Sequence, residues 1–240
     1  MTENPTQPQV RALPSTIRGV VFDLDDTLVA STVDFAKFKG LVIERMVSLG
    51  EPRELYDPSD TIVRTIARFE ERMRHQGVPE KDRRDRLAEL DRIMDRVELE
   101  RVDRTEALPG AREILESLRR RGVKVGVLTR ACGEYAEKAL ALTGLRALVD
   151  AIEPRNSDTR PKPHPDAYLR LIGALGVEKS ETVFVGDHPI DAHCAATAGV
   201  AFVAVGTGDV PEQVMMEAGS VAYIPDVGHL MPLLRLSLGR

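Results

Sequence analysis

Three carboxylates crowd into four positions, Asp23, Asp25 and Asp26, directly after the β-forming run Val20, Val21 and Phe22. Folding alone gives no reason for this, because like charges so close repel unless a cation or a proton offsets them. Side chains alternate along a strand, so Asp23 and Asp25 are expected to project to one side where the strand ends, near enough to share a cation. A hard cation such as Mg²⁺ takes oxygen ligands and keeps part of its water, which leaves room for a phosphate oxygen. A single Asp here would be read as a helix cap or turn residue; D-x-D-x-T over residues 23–27 asks for more.

Further polar residues fall where strands are expected to end, the place where open α/β sheets bind ligands. Thr129 closes one such run, and its hydroxyl can donate to a phosphate oxygen or simply serve the turn. Lys162 lies in Arg-Pro-Lys-Pro-His-Pro, where Pro161, Pro163 and Pro165 restrain the backbone that carries it; an exposed loop lysine is the plainer alternative. Asp187 and Asp191 form G-D-x-x-x-D, with Asp191 one helical turn beyond Asp187 and on the same side. An N-cap is the other use for Asp187. His164, beside Lys162, is expected to line the pocket. His75, His188, His193 and His229 have no metal-site spacing and are read as exposed or loosely packed.

The elements that must position these residues alternate. Residues 20–22, 123–129, 148–152, 182–185, 201–205 and 221–224 read as strands, with helices at 109–122, 134–144, 165–175 and one closing at Gly199. That alternation predicts an α/β fold, a doubly wound parallel sheet covered on both faces. Between the first and second strands the period becomes helical. Phe35, Phe38, Val42, Met46 and Leu49 form one stripe ending at Gly50. A second helix, starting at Ser59 or Asp60, carries Ile62, Ile66, Phe69 and Met73. A third over 80–101 carries Leu87, Leu90, Met94 and Val97. The last stripe covers about two heptads, too few for a coiled coil, so packing against the first two helices is expected. Residues 30–106 are therefore read as an all-helical domain inserted into a core of residues 18–29 and 107–240, with residues 1–17 a disordered lead-in.

The 240 residues are 42% hydrophobic and 30% charged with a formal net charge of −5, ordinary for a soluble globular protein and without the basic footprint of nucleic-acid or anionic-membrane binding. Only Cys132 and Cys194 are present, with no C-x-x-C spacing, so neither a disulfide framework nor a zinc site is expected and a reduced, cytoplasmic setting follows. No run approaches membrane-spanning length, and the N-terminal segment lacks the apolar core of a signal peptide.

In order and spacing, D-L-D-D-T at residues 23–27, Thr129, Lys162 in K-P-x-P, and G-D-x-x-x-D at 187–191 resemble the four motifs of the haloacid dehalogenase superfamily. The helical insert after the first motif is similar to the cap of phosphoglycolate phosphatase-like members. The resemblance implies a Rossmann-like core and a Mg²⁺-dependent phosphatase that passes through an aspartyl phosphate. It implies Asp23 as nucleophile and Asp25 as general acid/base, with Thr129, Arg130 and Lys162 around the phosphate. Mg²⁺ would be held by Asp23, Asp187 and the backbone carbonyl of Asp25, and Thr27 and Asp191 would support the site. Arg130 stands where many relatives carry Asn, and Asp26 where Gly is often found. Physically, a carboxylate attacks phosphorus in line only if its charge and that of the phosphoryl group are both offset.

The expected substrate is a small, soluble, anionic phosphomonoester, with the insert acting as a lid and Lys37 and Lys39 contacting a second anionic group. Nucleic-acid and membrane partners are not expected, and the oligomeric state is left open. A phosphomutase of the same superfamily and a receiver-like phosphoacceptor domain are the alternatives. Asp25, two positions after the nucleophile, disfavours a dehalogenase.

Overall fold

The computed structural model describes residues 12–57 and 59–234, so most of the expected lead-in, residues 1–11, lies outside the described residues; Ile17, at its end, is buried. The chain divides into two compact units, residues 1–31 with 103–240, and residues 32–102.

The first unit begins with β1 (Gly19–Phe22), all four residues buried. β2 (Val29–Ala30) and β3 (Glu106–Ala107) pair antiparallel in a short ribbon, and the Leu108 N–H donates to the Leu28 carbonyl at 3.0 Å. Strands of two residues carry no periodicity, so this ribbon is invisible in the sequence. It keeps residues 29–30 and 106–107 with the α/β unit. There follow α4 (Ala111–Arg120), β4 (Lys124–Leu128), α5 (Gly133–Leu142), β5 (Ala151–Glu153), α6 (Pro165–Leu175), β6 (Thr182–Gly186), α7 (Pro189–Ala198), β7 (Ala201–Val205), α8 (Glu212–Glu217), β8 (Ala222–Ile224) and α9 (Leu230–Leu234). α8 and α9 are too short to have announced themselves.

The sheet runs β5-β4-β1-β6-β7-β8, every pair parallel. Counting only its six strands, the order is third, second, first, fourth, fifth, sixth, the doubly wound arrangement whose switch point flanks β1. Receiver-like domains put the first strand beside the third instead, so the phosphoacceptor alternative fails on topology. Val21, Phe184 and Phe202 pack with Tyr168, Leu171 and Ile172 of α6 and Ala195 of α7 on one face. The intervening Val20, Phe22, Val183 and Val185 are equally buried, as a sheet covered on both sides requires.

The third strand lies later than the expected 148–152. Residues 146–148 form a helical turn, and the chain joins the sheet at Asp150, whose N–H donates to the Val125 carbonyl while its carboxylate accepts from the Val125 N–H, each at 2.8 Å. A side chain doing backbone work hides a strand edge from pattern reading.

The second unit is three mutually packed helices, α1 (Phe35–Ser48), α2 (Ile62–His75) and α3 (Glu80–Leu99). Asp34 and Thr61 cap the first two by accepting from the N–H groups of Lys37 and Arg64, so α2 starts slightly later than expected. Phe38, Val42, Ile43, Met46, Phe69, Met73, Leu90, Met94 and Val97 make the core. Phe35, placed in the first stripe, is 55% exposed. Among the described residues no helix is long and apolar enough to cross a membrane.

Candidate active site

Beyond Phe22 the chain stays stitched to the sheet for one more residue, the Asp23 N–H donating to the Val185 carbonyl at 2.8 Å. It then folds into a tight turn. The Leu24 carbonyl accepts from Leu28 and Val29, and the Asp26 N–H donates to the Val29 carbonyl at 2.7 Å. Asp26 has φ +54°, the left-handed region that Gly enters freely and Asp tolerates better than most residues, and its Oδ1 accepts from the Ser31 N–H at 3.0 Å. The regular strand ends at Phe22, and the carboxylates of Asp23 and Asp25 remain close enough for their charges to repel. Asp25 is turned to α5, where the Tyr135 hydroxyl donates to its Oδ1 at 2.7 Å.

What gathers around Asp23 comes from other strand ends. Lys162 is 2% exposed, and its ammonium lies 2.5 Å from Asp23 Oδ1 and 2.7 Å from Asp191 Oδ1, 5.5 Å from the centre of the Phe184 ring. Asp187, following β6, accepts from the Thr27 hydroxyl at 3.2 Å. Oxygens of Asp23, Asp187 and Asp191 all lie within 4.8 Å of one another. Two glycines leave the room this needs: a Cβ on Gly186 would sit 2.5 Å from Asp191 Oδ2, and one on Gly208 would strike Asp187 Oδ2.

Three buried carboxylates thus face one ammonium. Burial, with repulsion from Asp191, outweighs the attraction of Lys162 and pushes Asp23 above the usual aspartate range. Asp187 is pushed up by burial and by Asp23, Asp191 and Asp26. Burial also lifts Asp25 to about 7, against hydrogen bonds from Tyr135 and Ser31. Burial opposes the charge on Lys162 too, but Asp191 and Asp23 outweigh it and hold its proton more firmly than usual. An excess of negative charge on hard oxygen donors, without thiolate or imidazole among them, fits a hard divalent cation.

The remaining candidates are placed as follows. Thr129 is buried just past β4; its N–H donates to the Glu153 carbonyl, and its oxygen accepts from the Ala131 N–H at 3.0 Å, leaving its O–H to donate. The Arg130 guanidinium donates to the Lys162 carbonyl, tying the loop after β4 to the loop that carries the lysine. His164 is the N-cap of α6. His188, read from sequence as loosely packed, instead caps α7: its Nδ1 accepts from the Ile190 N–H at 3.1 Å while Asp191 Oδ2 accepts from the His188 N–H. The N-cap is thus His188 and not Asp187. In the helical unit the Lys37 ammonium is held by both carboxylate oxygens of Glu100, at 2.7 and 2.6 Å.

Sequence reasoning missed Tyr135, Gly208 and the capping role of His188. Tyr135 belongs to an apolar stripe with Ala136, Ala139 and Leu140, and the one available signal was that a buried tyrosine hydroxyl needs a partner.

With this geometry the comparisons agree. A family model described as haloacid dehalogenase-like hydrolase matches residues 20–205. The chain belongs to that family. Among curated relatives, it is 30% identical to a phosphoglycolate phosphatase of Pseudomonas syringae pv. tomato over 89% of this chain and 78% of that protein. It is 33% identical to one of Cereibacter sphaeroides over 77% of this chain and 83% of that protein. Its fold is similar to that of a putative haloacid dehalogenase-like hydrolase from Bacteroides fragilis, with a TM-score of 0.65 at 24% identity, covering 90% of this chain and all of that one. This haloacid dehalogenase-like hydrolase thus has relatives named as phosphatases along most of its length.

Proposed function

We propose that this hydrolase is a Mg²⁺-dependent phosphatase of small phosphomonoesters that carries the phosphoryl group on Asp23. The observation that supports this most is the buried ammonium of Lys162 bridging Asp23 and Asp191 beside Asp187. Asp23 Oδ1 is held against a positive charge able to receive phosphoryl oxygens, and Thr129 has a hydroxyl proton to add. Held by Asp23, Asp187 and the Asp25 carbonyl, Mg²⁺ would supply Lewis-acid neutralisation of phosphoryl charge. Asp23 attacks phosphorus as the ester P–O bond breaks. Asp25 gives its proton to the departing alkoxide, then takes one from the water that splits the acyl phosphate. The relatives named phosphoglycolate phosphatase support a phosphorylated small organic acid as substrate. Lys37, whose ammonium is also engaged by Glu100, and Lys39 stay candidates for its second anionic group. A cytoplasmic setting is part of the same proposal, in keeping with Cys132 and Cys194 being buried thiols.

The test is phosphate release from a panel of small phosphomonoesters, with Mg²⁺ and with EDTA. Steady release that EDTA abolishes and Mg²⁺ restores supports the proposal; full activity after exhaustive chelation defeats it. An isomerised sugar phosphate without free phosphate would favour the mutase.

Two further results are expected. In Asp25→Asn, hydrolysis of alkyl phosphates falls by roughly 10²–10⁴-fold, the usual worth of a positioned acid or base. With an aryl phosphate, whose leaving group needs no acid, phosphoenzyme accumulates because the water is not deprotonated. Equal losses on both substrates and no accumulated intermediate would contradict the role of Asp25.

The second result concerns pH. Asp23, Asp25 and Asp187 hold protons more tightly folded than unfolded. Their protonation therefore favours the fold below the ordinary aspartate value of about 4, and that advantage is lost as pH rises through the folded values, about 7 for Asp25. Metal-free Tm should decline from pH 5 to pH 8. A cation competes with those protons, so the rise in Tm produced by Mg²⁺ should be larger at pH 8. Calorimetry showing an equal or larger Mg²⁺ effect at pH 5 would refute this.

A further inference from the structure

We infer that Tyr135 is a positioning residue for Asp25, its phenol anchoring one carboxylate oxygen so that a fixed edge meets the leaving-group oxygen. This rests on the phosphatase proposal, in which Asp25 is the acid and base. Asp25 sits in the turn after β1, where the backbone leaves a short side chain several staggered orientations. Tyr135 removes that freedom. Its ring is fully buried in the first turns of α5, and its O–H reaches across 110 positions of sequence to Asp25 Oδ1 at 2.7 Å. Ser31 assists, with a side-chain hydrogen bond to the same carboxylate. A hydrogen bond to a carboxylate is shorter and stronger than one between neutral groups, and a tyrosine has only two torsions to fix, so the anchor is stiff.

The proton balance shows why orientation matters twice. When Asp23 bonds to phosphorus, the alkoxide leaves with the proton of Asp25. When water oxygen then attacks phosphorus, its proton returns to Asp25, phosphate departs and Asp23 is regenerated. Both transfers use one carboxyl group, and a misdirected one fails in both.

The test is Tyr135→Phe, which keeps the buried ring and removes only the hydroxyl. On an alkyl phosphate kcat is expected to fall about 10- to 100-fold with KM within about twofold. On an aryl phosphate the first step should stay within about threefold of wild type, and phosphoenzyme should build up. Crystal structures of the two proteins supply a readout independent of turnover: the Asp25 carboxylate should be reoriented in the variant. Equal change on both substrates, no change at all, or an Asp25 orientation identical to wild type overturns the inference. Wild-type protein that releases no phosphate from the panel defeats the phosphatase proposal instead, and the pair of crystal structures still decides whether Tyr135 orients Asp25.

Discussion

Asp23→Asn is expected to lower kcat by at least about 10⁴-fold, the scale of removing a covalent nucleophile, while the metal-free protein melts no lower than wild type. The two effects separate because Asp23, the proposed nucleophile, is also an electrostatic burden in the fold. An amide neither attacks phosphorus nor contributes the charge that holds a divalent cation. Yet one ammonium faces three buried carboxylates, and burial lifts Asp23 above its ordinary range. Its ionised form is costly in the fold, and a neutral isostere removes that cost. Lys162 keeps Asp191 at 2.7 Å, so no buried charge is orphaned. Measuring kcat with Mg²⁺ and Tm in EDTA checks both halves. Activity within tenfold of wild type would end the covalent mechanism, and a marked fall in Tm would show that Asp23 is needed to balance Lys162.

Lys162→Met should be the reverse in stability and similar in activity. Its chain is buried and its ammonium touches two carboxylates, so removing it strands buried negative charge, which costs about 3–5 kcal/mol. Lys162 binds its proton more firmly in the fold than a free lysine does. Its contribution is fully present below the ordinary lysine value of about 10.4 and does not titrate near neutrality. The pH dependence of the deficit must then come from the carboxylates. At low pH they can take up protons, so the deficit should shrink from pH 8 to pH 5. Activity should be lost at both. Denaturant unfolding at the two pH values decides it; a deficit below about 1 kcal/mol, or one that grows on acidification, would mean the lysine is not the counter-charge of the site.

The residues of the candidate site were legible because they break the pattern around them. Asp23, Thr129 and Asp187 are polar positions at the ends of apolar runs, and Lys162 is fixed by three prolines. The strand and helix alternation similarly predicted the doubly wound sheet. What stayed hidden depends on partners distant in sequence. Asp25 meets Tyr135 across 110 positions of sequence, and Asp26 takes a left-handed conformation, neither of which a period of two reveals. Gly208 matters only because Asp187 packs against it. In the helical unit, Glu51 is 5% exposed and accepts from Tyr56 at 2.7 Å, Arg72 at 2.5 Å and Gln76 at 3.1 Å. A buried, fully partnered acid looks in sequence like any surface glutamate. Arg130, identified as a departure from relatives, gained an explanation only when its guanidinium met the Lys162 carbonyl.

Passage of phosphate through a covalent bond to Asp23, as proposed, is tested most directly by trapping the intermediate. Asp25→Asn protein should be mixed with a radiolabelled aryl phosphate and Mg²⁺, quenched in acid and digested. The label should appear on the peptide containing Asp23, should be released by hydroxylamine as an acyl phosphate is, and should be absent when Asp23→Asn is added to Asp25→Asn. Turnover by wild type with no label retained, or label retained on a peptide without Asp23, would contradict the account.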